Sequence, residues 1–354
     1  MLIKKQALNN NNRYTVNVPI HDIDGYNSFN FNTTSRVKKY FSEIVIITNC
    51  KNSAYINEWL FWHLNIIHFD HIVLVDNTND GCLKTTAEKF NNVYYIHKSG
   101  VLKQTEIYNH YVNNSDAEWV LPIDDDEFLY VSDKYNNNIN LYINHLLTKC
   151  KMYKYSFCWH MMFSKTLYEK NPSNNIVKNY PYFFTGNESP LHYVSFNSSK
   201  TIVNTQIKHY YCNENKPVGN ITLNNLNNND NHYTYAIKRD YTTYNTIGGI
   251  HNPISKSNNI FYYSYNEETN NIHIDGYNNY KLSLNADCYL AHFKYRSLED
   301  WNSKILNFKF PDISETYKTL CYTDTKINEM YNVLNDKNLV FDQNMNRLSK
   351  KYDY

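Results

Sequence analysis

The chain has 354 residues, 42% of them hydrophobic, which is enough for one large α/β domain with a sizeable core and argues against wholesale disorder. Lys plus Arg number 35 against 34 Asp plus Glu, so no electrostatic bias points to nucleic acid or to an anionic membrane. Seven cysteines without a C-x-x-C pair read as reduced thiols rather than a disulfide or zinc framework. The polar start, Met1 to Arg13, lacks an apolar signal core, and no stretch has the length and apolarity of a membrane span, so a cytoplasmic location is expected. The 35 tyrosines and the asparagine runs carry no weight for sugar binding, because the codon bias of an AT-rich genome accounts for them.

Residues 1–40 are polar and without periodicity, and read as an irregular lead-in. Glu43 to Asn49 is a short apolar run ending in polar residues, the pattern of a strand buried on both faces. Ser53 is placed to cap a helix whose apolar positions Ile56, Leu60, Leu64 and Ile67 fall at helical spacing. His71 to Asp76 is a second buried strand, closed by the turn Asn77 to Gly81. A short helix near Leu83–Phe90, a strand at Val93–His97, a helix from Gln104 to Val112 and a strand at Trp119–Ile123 follow.

This alternation predicts βαβ units and a mainly parallel sheet flanked by helices. Right-handed crossovers then bring the strand C-terminal ends to one edge, where open α/β sheets bind ligands. Thr48 to Asn52, Asp76 and the acidic run Asp124-Asp125-Asp126-Glu127 should converge there. Four consecutive acids repel one another unless a cation or solvent relieves them. Pinned between Trp119–Ile123 and Phe128-Leu129, the run reads as a divalent-metal site for Mn²⁺ or Mg²⁺ rather than a solvated turn.

Further on, Ile139–Lys149 reads as a helix, Tyr153–Phe163 as a strand, and Asn171–Asn175 as a loop. The interval 213–232 reads as irregular and Cys288–Phe293 as a strand. Ser297 caps a further expected helix through Trp301 and Ile305, and Lys326–Leu334 reads as a last one.

Several spaced elements resemble one family. Thr48-Asn49-Cys50-Lys51-Asn52, Tyr55-Ile56-x-Glu58-Trp59-Leu60-x-x-His63, Phe69-Asp70-His71-Ile72 and Val75-Asp76-Asn77 are similar to the opening of family 2-like and family 92-like glycosyltransferases. Gln104, Tyr108-Asn109, Ala117 to Val120 and the DxDEF-containing element Ile123 to Phe128 continue the likeness, which is close over residues 43–131. It is looser at Lys200–Val203, at His251-Asn252-Pro253 and at His292-x-x-Tyr295-Arg296-Ser297 followed by Lys304. Ser53 stands where the family usually has Glu, and His68 where it has Gly.

The resemblance implies a GT-A (Rossmann-like) fold over 41–310, with a nucleotide-sugar half at 41–131 and an acceptor half at 132–310. It leaves 1–40 as lead-in and 311–354 as a C-terminal helical extension. It implies a hexosyltransferase moving sugar from a nucleoside-diphosphate sugar, a UDP-sugar, to a glycan, glycoconjugate or other hydroxyl acceptor, with inversion. Asp124 would face the sugar nucleotide; Asp124, Asp126 and His292 would hold the metal. Asp76 would bond base or ribose, with Thr48, Lys51, Asn52 and Gln104 also lining the nucleotide site. Glu58, Trp59 and His63 are read as packing residues. Glu188 is the nominal general base, with Asp240 and Asp275 as candidates. Two other readings stay open: a non-catalytic domain that binds nucleotide-sugars or glycans, and a metal-dependent nucleotidyl- or phosphotransferase.

Overall fold

A computed structural model describes residues 37–149, 154–163, 175–184, 199–211, 254–255, 265–266, 271–272, 287–293 and 339–352. The first half is a regular alternation: β1 (Tyr40–Thr48), α1 (Ser53–Phe61), β2 (His71–Asp76), α2 (Lys84–Ala87), β3 (Val93–His97), α3 (Gln104–Asn114) and β4 (Ala117–Ile123). β5 (Glu127–Val131), α4 (Ile139–Lys149), β6 (Lys154–Phe163), α5 (Ile176–Asn179), β7 (Tyr182–Phe184) and β8 (Ser199–Asn204) follow. Short strands β9 (His209–Tyr210) with β10 (Ile254–Ser255), and β11 (Tyr265–Asn266) with β12 (Asn271–Ile272), form two small ladders. β13 (Cys288–His292), β14 (Leu339–Phe341) and α6 (Gln343–Lys351) complete the described chain.

The fold is the expected α/β class, with helices flanking a ten-stranded central sheet. Its path is β14-β7-β6-β8-β4-β1-β2-β3, and β13 links β5 to β6. β4, β1, β2 and β3 are mutually parallel, a Rossmann-like core that places the C-terminal ends of all four on one edge. Beyond β4 the sheet turns mixed: β8 is antiparallel to β4 and to β6.

Alternation within each central strand explains why these runs read as continuously apolar. In β1, Ile44 and Ile46 enter one core with Trp59, Leu60 and Ile143, while Val45 and Ile47 enter another with Ile107, Tyr108 and Val112. Helices therefore cover both faces.

The helix after β1 starts one residue earlier than the Ser53 cap expected from sequence. Asn52 is the N-cap, its side-chain oxygen accepting the N–H groups of Ala54 and Tyr55 at 3.1 and 3.4 Å. α1 runs into a π-helical turn, Trp62–Ile66, closed by the Ile67 N–H on the Trp62 carbonyl. His68 then takes the left-handed conformation, φ 62°. That geometry is what a glycine at this position supplies at no steric cost.

β5 was not foreseen as a strand, since only Phe128 and Leu129 stood out as an apolar flank. Residues 339–352, inside the expected helical extension, contribute a strand as well as a helix, with β14 antiparallel to β7. The helices expected at Ser297–Ile305 and Lys326–Leu334, and the loop 213–232, lie outside the described residues.

Three histidines are sealed in this core. Burial lowers His63, His160 and His209 to about 3. His63 keeps a fixed tautomer: Nδ1 faces the Trp59 carbonyl at 2.9 Å while Nε2 accepts the Leu129 N–H at 3.3 Å.

Two outcomes are expected. His68→Gly should stabilise the fold by about 0.5–1 kcal/mol, read as a higher urea midpoint, because the exposed imidazole gives up little on removal. Acid should weaken the fold early. The folded-state values lie below the unfolded value near 6.5, so the unfolded chain takes up protons first. Stability is complete above about pH 6.5 and falls by about 1.4 kcal/mol per pH unit for each histidine as pH drops towards 3. Urea midpoints measured across that window check the slope.

Candidate active site

Thr48 ends β1, Asp76 ends β2, and the acidic turn follows β4, so the parallel topology delivers all three to one edge. The turn closes on itself: the Glu127 N–H donates to the Asp124 carbonyl at 3.2 Å, and the Glu127 carboxylate accepts the Asp124 N–H at 2.8 Å. The Thr48 hydroxyl donates to the Asp125 carboxylate, tying the end of β1 to the turn.

Inside the turn sits a lysine. Lys200, at the start of β8, has a side chain only 1% exposed; its Nζ lies 2.8 Å from Asp124 and 3.6 Å from Glu127. Burial works against its charge, but the Asp124 and Glu127 carboxylates outweigh that and hold it above the ordinary lysine range. Glu127 is pushed well above the usual carboxylate range by burial, only partly offset by Lys200. Gln104, opening α3, donates to the other Asp124 oxygen at 3.0 Å and to Tyr108 at 2.6 Å. Asp124 is thus oriented from two sides.

Asp126 is turned the other way. It is fully buried, and its Oδ1 lies 3.4 Å from His292 Nε2. The approach is enforced by backbone: β13 runs antiparallel to β5 with His292 opposite Glu127, and the Phe293 N–H donates to the Asp126 carbonyl at 2.7 Å. Trp159 packs against the His292 ring at 4.3 Å between centroids.

Of the three expected metal ligands, Asp126 and His292 come together. Asp124 does not join them, because Lys200 and Gln104 take its two oxygens. Among the described residues no group of three or more His, Cys, Asp or Glu could hold a metal ion. A carboxylate oxygen and an imidazole nitrogen this close are donor types that would fit two positions of a Mn²⁺ or Mg²⁺ shell, which would need further oxygen donors.

Asp76, for which the resemblance implies a base or ribose contact, is engaged by its own loop. Its carboxylate is fully buried and accepts the Thr78 and Leu83 N–H groups at 2.8 and 3.1 Å and the Tyr95 hydroxyl at 2.9 Å. Those bonds shape the loop after β2. Asn52 likewise commits its side-chain oxygen to the α1 cap, whereas Lys51 is exposed at the same edge, its charge acting on Asp80. Glu58 accepts the Ile176 and Val177 N–H groups at 2.7 and 3.3 Å, capping α5, in keeping with a packing role. Glu188, Asp240 and Asp275 lie outside the described residues.

Lys200 heads the family-like element Lys200–Val203, but sequence reasoning gave it no role in the site. Its signal was there: a single lysine heading an apolar strand, with acids available elsewhere in the chain to pair it.

No protein-family model matches this sequence, and no curated protein sequence does. Among solved structures, the chain is similar to 4-diphosphocytidyl-2C-methyl-D-erythritol synthase from Anaerococcus prevotii, with 14% identity and a TM-score of 0.25 over 47% of this chain and 71% of that one. It is also similar to S. aureus TarS, with 12% identity and a TM-score of 0.24 over 38% of this chain and 24% of that one. No helix among the described residues is long and apolar enough to cross a membrane. The chain's own residues therefore carry the functional reading.

Lys200→Met should be severely destabilising, by about 3–5 kcal/mol, since it strands two carboxylates without their cation. Lys200→Arg, which keeps the charge but not the volume, should lose less. Urea unfolding of both variants beside the wild type checks the order; a Met variant as stable as the wild type would show that the pair is dispensable.

Proposed function

We propose that this chain is a metal-dependent glycosyltransferase of GT-A type, moving a sugar from a nucleoside-diphosphate sugar, a UDP-sugar, to a hydroxyl acceptor such as a glycan. The observation that carries the reading is the 3.4 Å approach of His292 Nε2 to Asp126 Oδ1 across two segments remote in sequence. The spaced motif elements of residues 43–131, and the position of the acidic turn at the ligand edge of a parallel sheet, support it.

Asp126 and His292 would hold the cation, Mn²⁺ or Mg²⁺. When bound, it supplies Lewis-acid neutralisation of the diphosphate leaving group. The protein's own groups do the rest. Asp124, with a side chain one-third exposed, would face a ligand hydroxyl, and Lys200 with Gln104 fixes the direction of its two oxygens. Lys200 also lowers the local negative charge that an incoming diphosphate meets. Thr48 keeps Asp125 drawn towards β1, so the turn holds one shape before any ligand arrives, which favours preorganised binding. Inversion at the sugar calls for a general base on the acceptor side, and Glu188 is the candidate.

The test is a screen of sugar nucleotides for Mn²⁺-dependent turnover. Free nucleoside diphosphate is the expected product; release of pyrophosphate or phosphate would point to a nucleotidyl- or phosphotransferase, and ligand-induced stabilisation without turnover to a binding domain. Asp126→Ala and added EDTA should each abolish release. His292→Ala should raise the half-saturating Mn²⁺ concentration about tenfold or more, with activity partly recovered at high Mn²⁺, in keeping with the 10- to 100-fold losses typical of weakened metal shells. Full activity of Asp126→Ala in EDTA would end the assignment.

A further inference from the structure

β5 carries the descending leg of the acidic turn, and its two edges are held by different means. One edge pairs with β13, from Glu127 opposite His292 to Val131 opposite Cys288. The other edge meets side chains of α1 and its π-helical turn. Trp59 Nε1–H donates to the Glu127 carbonyl at 2.8 Å, Trp62 Nε1–H donates to the Leu129 carbonyl at 2.8 Å, and the Leu129 N–H donates to His63 Nε2 at 3.3 Å. Glu127 and Leu129 are two apart, so their backbone groups point to the same edge. All three side chains are buried. They take the place that a neighbouring strand would otherwise fill.

A neighbouring strand and a set of helix side chains differ in what they specify. A strand offers equivalent hydrogen bonds every two residues, so it tolerates a slip of two. Two indoles and one imidazole, each fixed by the helix backbone, offer one solution only. A two-residue slip of β5 would carry Asp126 about 7 Å along the strand, out of reach of His292.

We infer that Trp59, Trp62 and His63 are positioning residues: they lock the register of β5, and through it the placement of Asp126 against His292. The packing role expected of Trp59 and His63 is thereby extended to the site, and the inference rests on the metal assignment proposed above.

The experiment compares Trp59→Phe with Tyr142→Phe, a control that removes a buried hydrogen bond, Tyr142 to Tyr155, not involving β5. Two quantities are read: amide hydrogen exchange at Phe293, whose N–H bonds the Asp126 carbonyl, and the half-saturating concentration of Mn²⁺ alone, followed by loss of the free-ion EPR signal. Trp59→Phe should speed Phe293 exchange at least tenfold and raise half-saturating Mn²⁺ at least fivefold, with each changing less than twofold in the control. If Trp59→Phe does not fold, the benzothiophene isostere of Trp59, which lacks only the N–H donor, is read the same way. Equal Phe293 exchange and equal Mn²⁺ binding in the Trp59 variant and the control would overturn the inference. A wild type that does not bind Mn²⁺ would remove the metal assignment, and Phe293 exchange would still decide whether β5 is held.

Discussion

A buried ammonium group is the condition on which the acidic turn exists in this shape. Asp124 and Glu127 lie together against the end of β4, with the neighbouring Asp126 excluded from water, and Lys200 is the cation that stands between them and offsets their repulsion. It also divides the turn. Asp124 and Glu127 face the lysine, which leaves Asp126 to face β13. The arrangement depends on β8 running antiparallel beside β4, because that pairing brings Lys200 to the strand end where the turn begins.

Around this centre, side chains repeatedly finish what backbone pairing leaves open. Asp76 satisfies two N–H groups of the loop after β2, Asn52 two at the start of α1, and Glu58 two at the start of α5. Each commits a polar side chain to the upkeep of a particular backbone segment. Buried backbone groups must find partners, and short polar side chains near strand ends are the nearest supply.

The parallel core was legible because its signals are local. Residues 43–49, 71–76, 93–97 and 119–123 each carry a short apolar run with polar punctuation, and the structure has strands there. The convergence of Thr48 and the acidic turn followed from topology alone. What stayed hidden depends on partners far along the chain. β5 is too short for a period-2 pattern to stand out, and it is defined by β13 on one side and α1 on the other. Lys200 heads a family-like element, but its pairing with the turn shows only when β8 is placed beside β4. Asp76 poses the converse case, since a strand-end acid at the ligand edge looks the same in sequence whether or not its own loop engages it.

The placement of β13 has a further consequence. It is inserted between β5 and β6, elements made far earlier in synthesis. Tyr289 in β13 stacks between Tyr130 and His160, and its hydroxyl donates to Asp342, the N-cap of α6. As the chain leaves the ribosome, β1 to β4 can pair in order of appearance, while β5 and β6 must wait with a strand-wide gap between them. His292 reaches Asp126 only when that gap closes, and the latch on β13 comes from residues later still. A nascent chain halted before residue 288 would therefore carry the parallel core without β13, exposing the edges of β5 and β6 that face it for chaperones or proteases to recognise, and one halted before residue 339 would carry β13 without its latch.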